Sequence, residues 1–222
     1  MLRPRKKLTR KEIKEDALVT AYVRVQKFIQ KFGKQLNIGG FIVLAVIVIG
    51  IFMIRSKRSA ELTAMARLSM AEQFYFASDH TRANSELTEI FNTYSGTRAA
   101  GTAAFFLANT YFATSDYENA EKYYQTYIDD YSHNRMFTAS CFAGIAACRE
   151  SVEQIPEAAR FYENAAQNYP NSFKAAFYLK EAGRCYVLAE EFEKGKEIYK
   201  TIIDRYPDSS IKQEAEFLFE SL

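Results

Sequence analysis

Along residues 18–36 the side chains Leu18, Tyr22, Val25, Ile29, Phe32 and Leu36 recur at spacings of four, three, four, three and four. That period lays them on one stripe of a helix, with Arg24, Lys27, Lys31 and Lys34 on the other side. Ile38 to Ile54 then reads IGGFIVLAVIVIGIFMI, without a charge or a strongly polar group. At a rise of ~1.5 Å per residue it covers roughly 25 Å, and flanking turns complete the ~30 Å of a bilayer's hydrocarbon core. The run is longer than a signal peptide's apolar region, and Arg55, Lys57 and Arg58 stand where a small-residue cleavage site belongs. The pattern predicts one uncleaved transmembrane helix over 38–54, preceded by an amphipathic helix over 17–37 and a basic tail over 1–16 too poor in apolar residues to fold.

Beyond residue 60 the pattern repeats. Tyr94-Ser95-Gly96-Thr97, Tyr131-Ser132-His133-Asn134, Tyr169-Pro170-Asn171-Ser172 and Tyr206-Pro207-Asp208-Ser209 each end a helical stretch, at intervals of 37, 38 and 37. A period of this length means stacked two-helix units, because one unit cannot bury its apolar face alone. With the units numbered from Ala64, Gly101, Ala139 and Ala176, position 8 is Ala71, Ala108, Ala146 and Gly183, and position 20 is Ala83, Ala120, Ala158 and Gly195. Two helices come close only where side chains are small, so these positions mark the crossings. Leu87, Tyr124, Tyr162 and Tyr199 at position 24 fill the space beside them. Pro170 and Pro207 stop second helices. Second helices are predicted to start at a capping box, Ser115-Asp116-Tyr117-Glu118, and at Pro156. The expected class is all-α: a single N-terminal transmembrane helix followed by a helical solenoid over 55–210 and an amphipathic cap helix over 211–222.

Composition divides the chain where the pattern does. The net charge is +2 over 222 residues. Residues 1–58 carry 14 Lys/Arg against Glu12, Glu15 and Asp16, whereas the remainder carries 15 against 24 Asp/Glu. The positive-inside rule, applied to that basic arm, places the N-terminus in the cytoplasm and the acidic body beyond the membrane. The arm helix suits an anionic membrane surface or the apolar seam of a partner helix.

The repeat pattern, small at 8, aromatic at 11 in Phe74, Tyr111 and Tyr186, small at 20, large at 24 and proline at 32, resembles the tetratricopeptide repeat over about 64–209. It departs at Arg149, where an aromatic is expected, and in the first unit, which lacks the proline. The longer period looks like the variant of bacterial envelope proteins. Together with the arm stretch Asp16 to Gly40, the chain resembles the YfgM-like family of membrane-anchored proteins. That resemblance implies the bacterial inner membrane, a periplasmic repeat domain and partners among translocon subunits, periplasmic chaperones or clients. In the repeat family the concave groove is lined by positions 2, 5, 9, 12 and 13. Here those positions give Phe105, Asn109 and Phe112 in the second unit and Phe177, Lys180, Arg184 and Val187 in the fourth. The resemblance makes them the candidate protein-binding residues, aromatics supplying buried area and Lys180 or Arg184 pairing a carboxylate; the alternative is the ordinary outer layer of a stacked array. The lysines of a chaperone-tail carboxylate clamp are missing, since Phe105 and Phe177 stand in their places.

No HExxH, glycine-rich phosphate loop or GxSxG occurs, and His80 and His133 fall in interhelical turns. An enzyme, a cofactor, a metal and a nucleic-acid partner are not expected. Cys141, Cys148 and Cys185 read as small buried thiols; the first two, about 10 Å apart along one helix, are too far apart to pair. Two functions remain: an anchored adaptor holding other proteins beside the translocon, or a structural envelope scaffold that self-associates. Between Phe41 and Ala77 there is no proline, and Gly50 lies within the apolar run. The span is therefore predicted to continue as one helix into the first repeat.

Overall fold

The computed structural model describes residues 10–222, with side chains for 19–28, 30–32 and 41–222. Regular structure among the described residues is helical: α1 (Arg10–Phe76), α2 (His80–Thr93), α3 (Arg98–Ala113), α4 (Tyr117–Tyr131), α5 (Arg135–Ser151), α6 (Ile155–Asn168), α7 (Ala175–Leu188), α8 (Phe192–Arg205) and α9 (Lys212–Glu220). The chain divides into two compact units at Ser56/Lys57.

In the first unit α1 starts at Arg10, earlier than the residue 17 expected, and the strong helix formers of RKEIKE account for it. The rest of the expected tail, residues 1–9, lies outside the described residues. Tyr22 and Val25 of the amphipathic stripe are exposed, and the rings of Phe28 and Phe32 lie 4.9 Å apart. Leu18, Ile29 and Leu36 have side chains outside the described set. Phe41 to Ile54 is exposed throughout except at Gly50, which is half-buried. Among the described residues no helix is long and apolar enough to cross a membrane. The transmembrane helix expected over 38–54 thus finds no support there: the described part, 41–54, measures roughly 21 Å as a helix before Arg55 is reached. Helical structure passes through Arg55–Glu61 without interruption, as the lack of a breaker predicts.

The second unit is the repeat array. The C-terminal part of α1 shares a core with α2, Ala64, Leu68 and Ala71 lying with Ala83, Leu87 and Ile90, and Arg67 pairs with Glu86 and Glu89; α3 with α4, α5 with α6 and α7 with α8 form the next three pairs, and α9 packs on α8. All four residues at each of positions 8, 20 and 24 are buried. Where glycine stands, the reason is visible. A Cβ at Gly183 would lie 2.6 Å from the Tyr199 ring, and one at Gly195 would lie 2.8 Å from Val187 and 3.3 Å from the Gly183 carbonyl oxygen. A Cβ at Gly101 would lie 2.7 Å from the Tyr131 ring, and one at Gly144 would collide with the ring of Tyr124.

The turn inside each pair has one form. Ser78, Ser115, Glu153 and Glu190, all at position 15, have φ between 59° and 64°. In each, the N–H of that residue donates to the carbonyl three residues back and the next N–H donates to the carbonyl five back, at 2.8–3.0 Å. This closes the first helix with a left-handed residue and satisfies its last carbonyls. Ser115 is therefore the turn residue and not the cap of the expected capping box. Asp116 caps α4 instead, its carboxylate accepting from the Asn119 N–H at 3.2 Å, as Asp79 does for Arg82 at 3.1 Å. Pro156 lies in the first turn of α6, and α6 and α8 end two residues before Pro170 and Pro207, as predicted.

Buried apolar residues fall into three clusters along the array: Ala64 to Leu107, then a middle set holding Tyr124, Tyr127, Cys141, Ile145 and Cys148, then Ala139 to Ala215. All three cysteines are buried and free. Burial raises each thiol pKa, that of Cys148 and of Cys185 to about 12.

Candidate functional site

The first helices of the pairs carry the predicted groove positions, and side chains link each unit to the next along them. Position 12 of one unit meets position 9 of the following one. The Arg184 guanidinium donates to both Glu150 carboxylate oxygens at 2.8 Å, and Asn109 hydrogen-bonds the Tyr75 hydroxyl, offsetting part of the pKa rise that burial gives it. Position 5 meets position 2 in the same way, Lys180 Nζ lying 3.2 Å from Glu214 of α9. Ser140 and Tyr178 approach at 3.5 Å between the third and fourth units.

The seven residues singled out from the sequence are not one cluster. Phe105 is half-buried, stacked on Phe137 at 4.8 Å and edge-on to Phe106 at 5.5 Å. Asn109 accepts a hydrogen bond from the Tyr124 hydroxyl at 2.6 Å, so its amide is committed within the fold. Phe112 lies 5.5 Å from Tyr117. Phe177 is 44 % exposed with Lys180 Nζ 5.4 Å from its ring centre. Lys180 also pairs with Glu181, and Arg184 with Glu181 at 2.8 Å as well as with Glu150. Both cations are thus neutralised inside the protein, which leaves the expected pairing with a client carboxylate competing against two acids apiece. Val187 is partly buried, with one methyl beside Gly195 at the α7–α8 crossing.

Residues passed over in the sequence complete this face. Tyr75 lies 4.9 Å and Phe76 6.2 Å from Phe106, and Phe106 leads to Phe105 and Phe137, a continuous run of rings across the first three units. Acids line this face as well. Among the groove positions the acidic and basic residues are Glu72, Glu150, Lys180, Arg184 and, on α9, Glu214. Glu150 holds Arg184 and Glu214 holds Lys180. Glu72 remains, and partial burial raises its carboxyl pKa. Comparing position 12 of each unit with position 9 of the next exposes the Glu150–Arg184 pair from sequence alone.

Arg149, the departure from the aromatic pattern, forms an ion pair with Glu121 of the preceding pair and donates a hydrogen bond to the Gln154 side-chain oxygen. Among the described residues no group of three or more His, Cys, Asp and Glu side chains is placed to hold a metal ion. A cleft of about 370 Å³ between α6, α7 and α8, lined by Glu163, Leu179, Tyr186, Lys194 and Arg205, lies apart from the groove positions.

Residues 181–209 match the family model of the tetratricopeptide repeat, which spans the end of α7, the turn at Glu190 and the whole of α8. Comparison with curated proteins gives no match. The all-helical stack of pairs fits a tetratricopeptide-repeat protein. Such repeats mediate binding to other proteins, and proteins built from them are typically adaptors and not enzymes.

Proposed function

We propose that this chain is a membrane-anchored adaptor whose repeat array holds other proteins through the faces of its first helices. The observation that carries the reading is the run of rings from Phe76 and Tyr75 through Phe106 and Phe105 to Phe137, with Phe76 largely exposed and Phe177 half exposed. Anchoring is supported by the exposed apolar stretch Phe41 to Ile54 between a basic arm and Arg55, Lys57 and Arg58. The charge contrast between arm and body supports a cytoplasmic N-terminus and a body on the far side of the inner membrane. A place beside the Sec translocon, with periplasmic chaperones or clients as partners, rests on the resemblance of Asp16 to Gly40 to the YfgM-like arm. Protease added to spheroplasts tests the topology: the body beyond residue 59 is expected to be degraded and the N-terminus spared. Protection of the body overturns both the orientation and the periplasmic partners. Crosslinking in intact membranes separates the adaptor, which captures translocon subunits or chaperones, from a self-associating scaffold, which captures copies of itself.

A further inference from the structure

The two ends of the array are built differently. At the C-terminal end α9 occupies the place of a fifth first helix, with Gln213, Glu216 and Glu220 at positions 1, 4 and 8. In the four units positions 1 and 8 are alanine or glycine and lie buried against the partner helix. A polar surface there closes the stack, as terminal repeats must.

The opening unit has no such surface. Positions 3, 7 and 10 of the second, third and fourth units are Ala103, Leu107 and Thr110, then Cys141, Ile145 and Cys148, then Tyr178, Ala182 and Cys185, all buried where the preceding second helix would stack. The first unit puts Ala66, Met70 and Gln73 at these positions, and all are exposed, Met70 by 58 % and its neighbour Leu62 by 63 %. Glu72 stands on the same helix at position 9, where Asn109 and Arg184 each bond position 12 of the unit before. Glu72 has no preceding unit to supply that partner.

We propose that this open edge of the first unit docks an amphipathic helix of another protein, apolar residues covering Leu62, Ala66 and Met70 and a lysine or arginine pairing with Glu72. The occupant is defined by what the chain itself shows: α2, α4 and α6 each bring apolar residues into one cluster with positions 3 and 7 of the next unit, Leu87 and Ile90, then Tyr124 and Tyr127, then Tyr162 and Ala165. Its cation follows from charge, since Glu72 is the groove carboxylate left over when Arg184 and Lys180 are paired. A second copy stacked head to tail fits poorly, because it would bring Glu216 and Glu220 of α9 toward Glu72 and an apolar edge. The surface adjoins the ring-lined face at Glu72, but the apolar residues it would cover, Leu62, Ala66 and Met70, take no part in the run of rings, so either reading can fail alone.

The test uses the full chain in nanodiscs and a fluorescent 20-residue helical peptide with a leucine stripe and one lysine, compared with the same peptide carrying glutamate instead. Anisotropy is expected to show binding of the lysine peptide, weakened at least about tenfold by Met70→Lys, which puts a charge where an apolar side chain must be buried. Glu72→Gln is expected to weaken it about two- to fivefold, the range of a partly exposed ion pair, and to abolish the preference for lysine over glutamate. Circular dichroism and melting of both variants confirm that the array is intact, since both side chains reach solvent. Absence of binding, or binding unchanged in both variants, overturns the proposal. Binding lost instead through Phe105→Ala or Phe177→Ala moves the peptide to the ring-lined face and overturns it as well.

Discussion

Replacing Gly183 by alanine sets two effects of opposite sign against each other. In the interior of a helix alanine is favoured over glycine by about 1 kcal/mol. Against that, the new Cβ would lie 2.6 Å from Cε1 and 2.9 Å from Cζ of Tyr199. Tyr199 is 2 % exposed and its helix is fixed at Gly195, whose own Cα faces the Gly183 carbonyl, so neither ring nor helix is free to retreat by the fraction of an ångström required. Overpacking of this kind costs about 1–3 kcal/mol, which exceeds the gain in propensity over most of its range. Thermal melting of residues 57–222 is therefore expected to fall, by about 2–4 °C for each net kcal/mol in a domain of this size. In a Tyr199→Leu background the ring atoms are gone, and the same substitution is expected to be neutral or stabilising, with a coupling of about 1 kcal/mol or more between the two sites. A rise in melting temperature for Gly183→Ala alone, of the size propensity predicts, would refute the close crossing of α7 and α8.

Two further outcomes are expected. Ala120→Leu, at the fully buried small position where α4 crosses α3, should destabilise the array by about 1–3 kcal/mol, and an unchanged melting curve would mean the repeat register is misplaced. Alkaline conditions should destabilise the protein, because burial raises the Cys148 and Cys185 pKa values from 9.0 to about 12: their contribution is complete below pH 9 and lost as pH climbs toward 12. Melting curves at pH 8 and 10.5 check this, and a Cys148→Ala, Cys185→Ala variant should lose less of its stability over that interval.

The register of the array was legible because close helix crossings leave a mark in residue size: Ala, Ala, Ala, Gly at position 8 and the same series at position 20 admit one alignment of the units. The turn at position 15 left no such mark. Its left-handed backbone is filled by Ser78, Ser115, Glu153 and Glu190, none of them the glycine or asparagine that signals that conformation. The helix hydrogen bonds on either side impose the geometry, and the side chain follows. By sequence alone Ser115 therefore reads as a cap, although Asp116 is the residue that caps α4. Lys180 and Arg184 each pair with Glu181 close by and with a second acid 34 residues away, Glu214 and Glu150 respectively, which only the stacking of the units brings near. Val187 is a groove position by number, and its contact with the glycine at 195 shows only once α7 and α8 are packed together. The apolar run at 38–54 was plain as composition, yet its first three residues fall outside the described side chains.

The glycine at 144 has a consequence for descent by duplication. Units copied from one another begin interchangeable, and any might be deleted, multiplied or reordered with little harm. Here the ring of Tyr124, from the second unit, occupies room that exists because position 6 of the third is glycine. The same position holds Ser69, Phe106 and Glu181 in the other units. Were the fourth unit to follow the second directly, the Glu181 side chain would fall where that ring lies. The copies have thus ceased to be copies at their seams, and recombination between them no longer conserves the fold: the order of the units has become part of the inheritance.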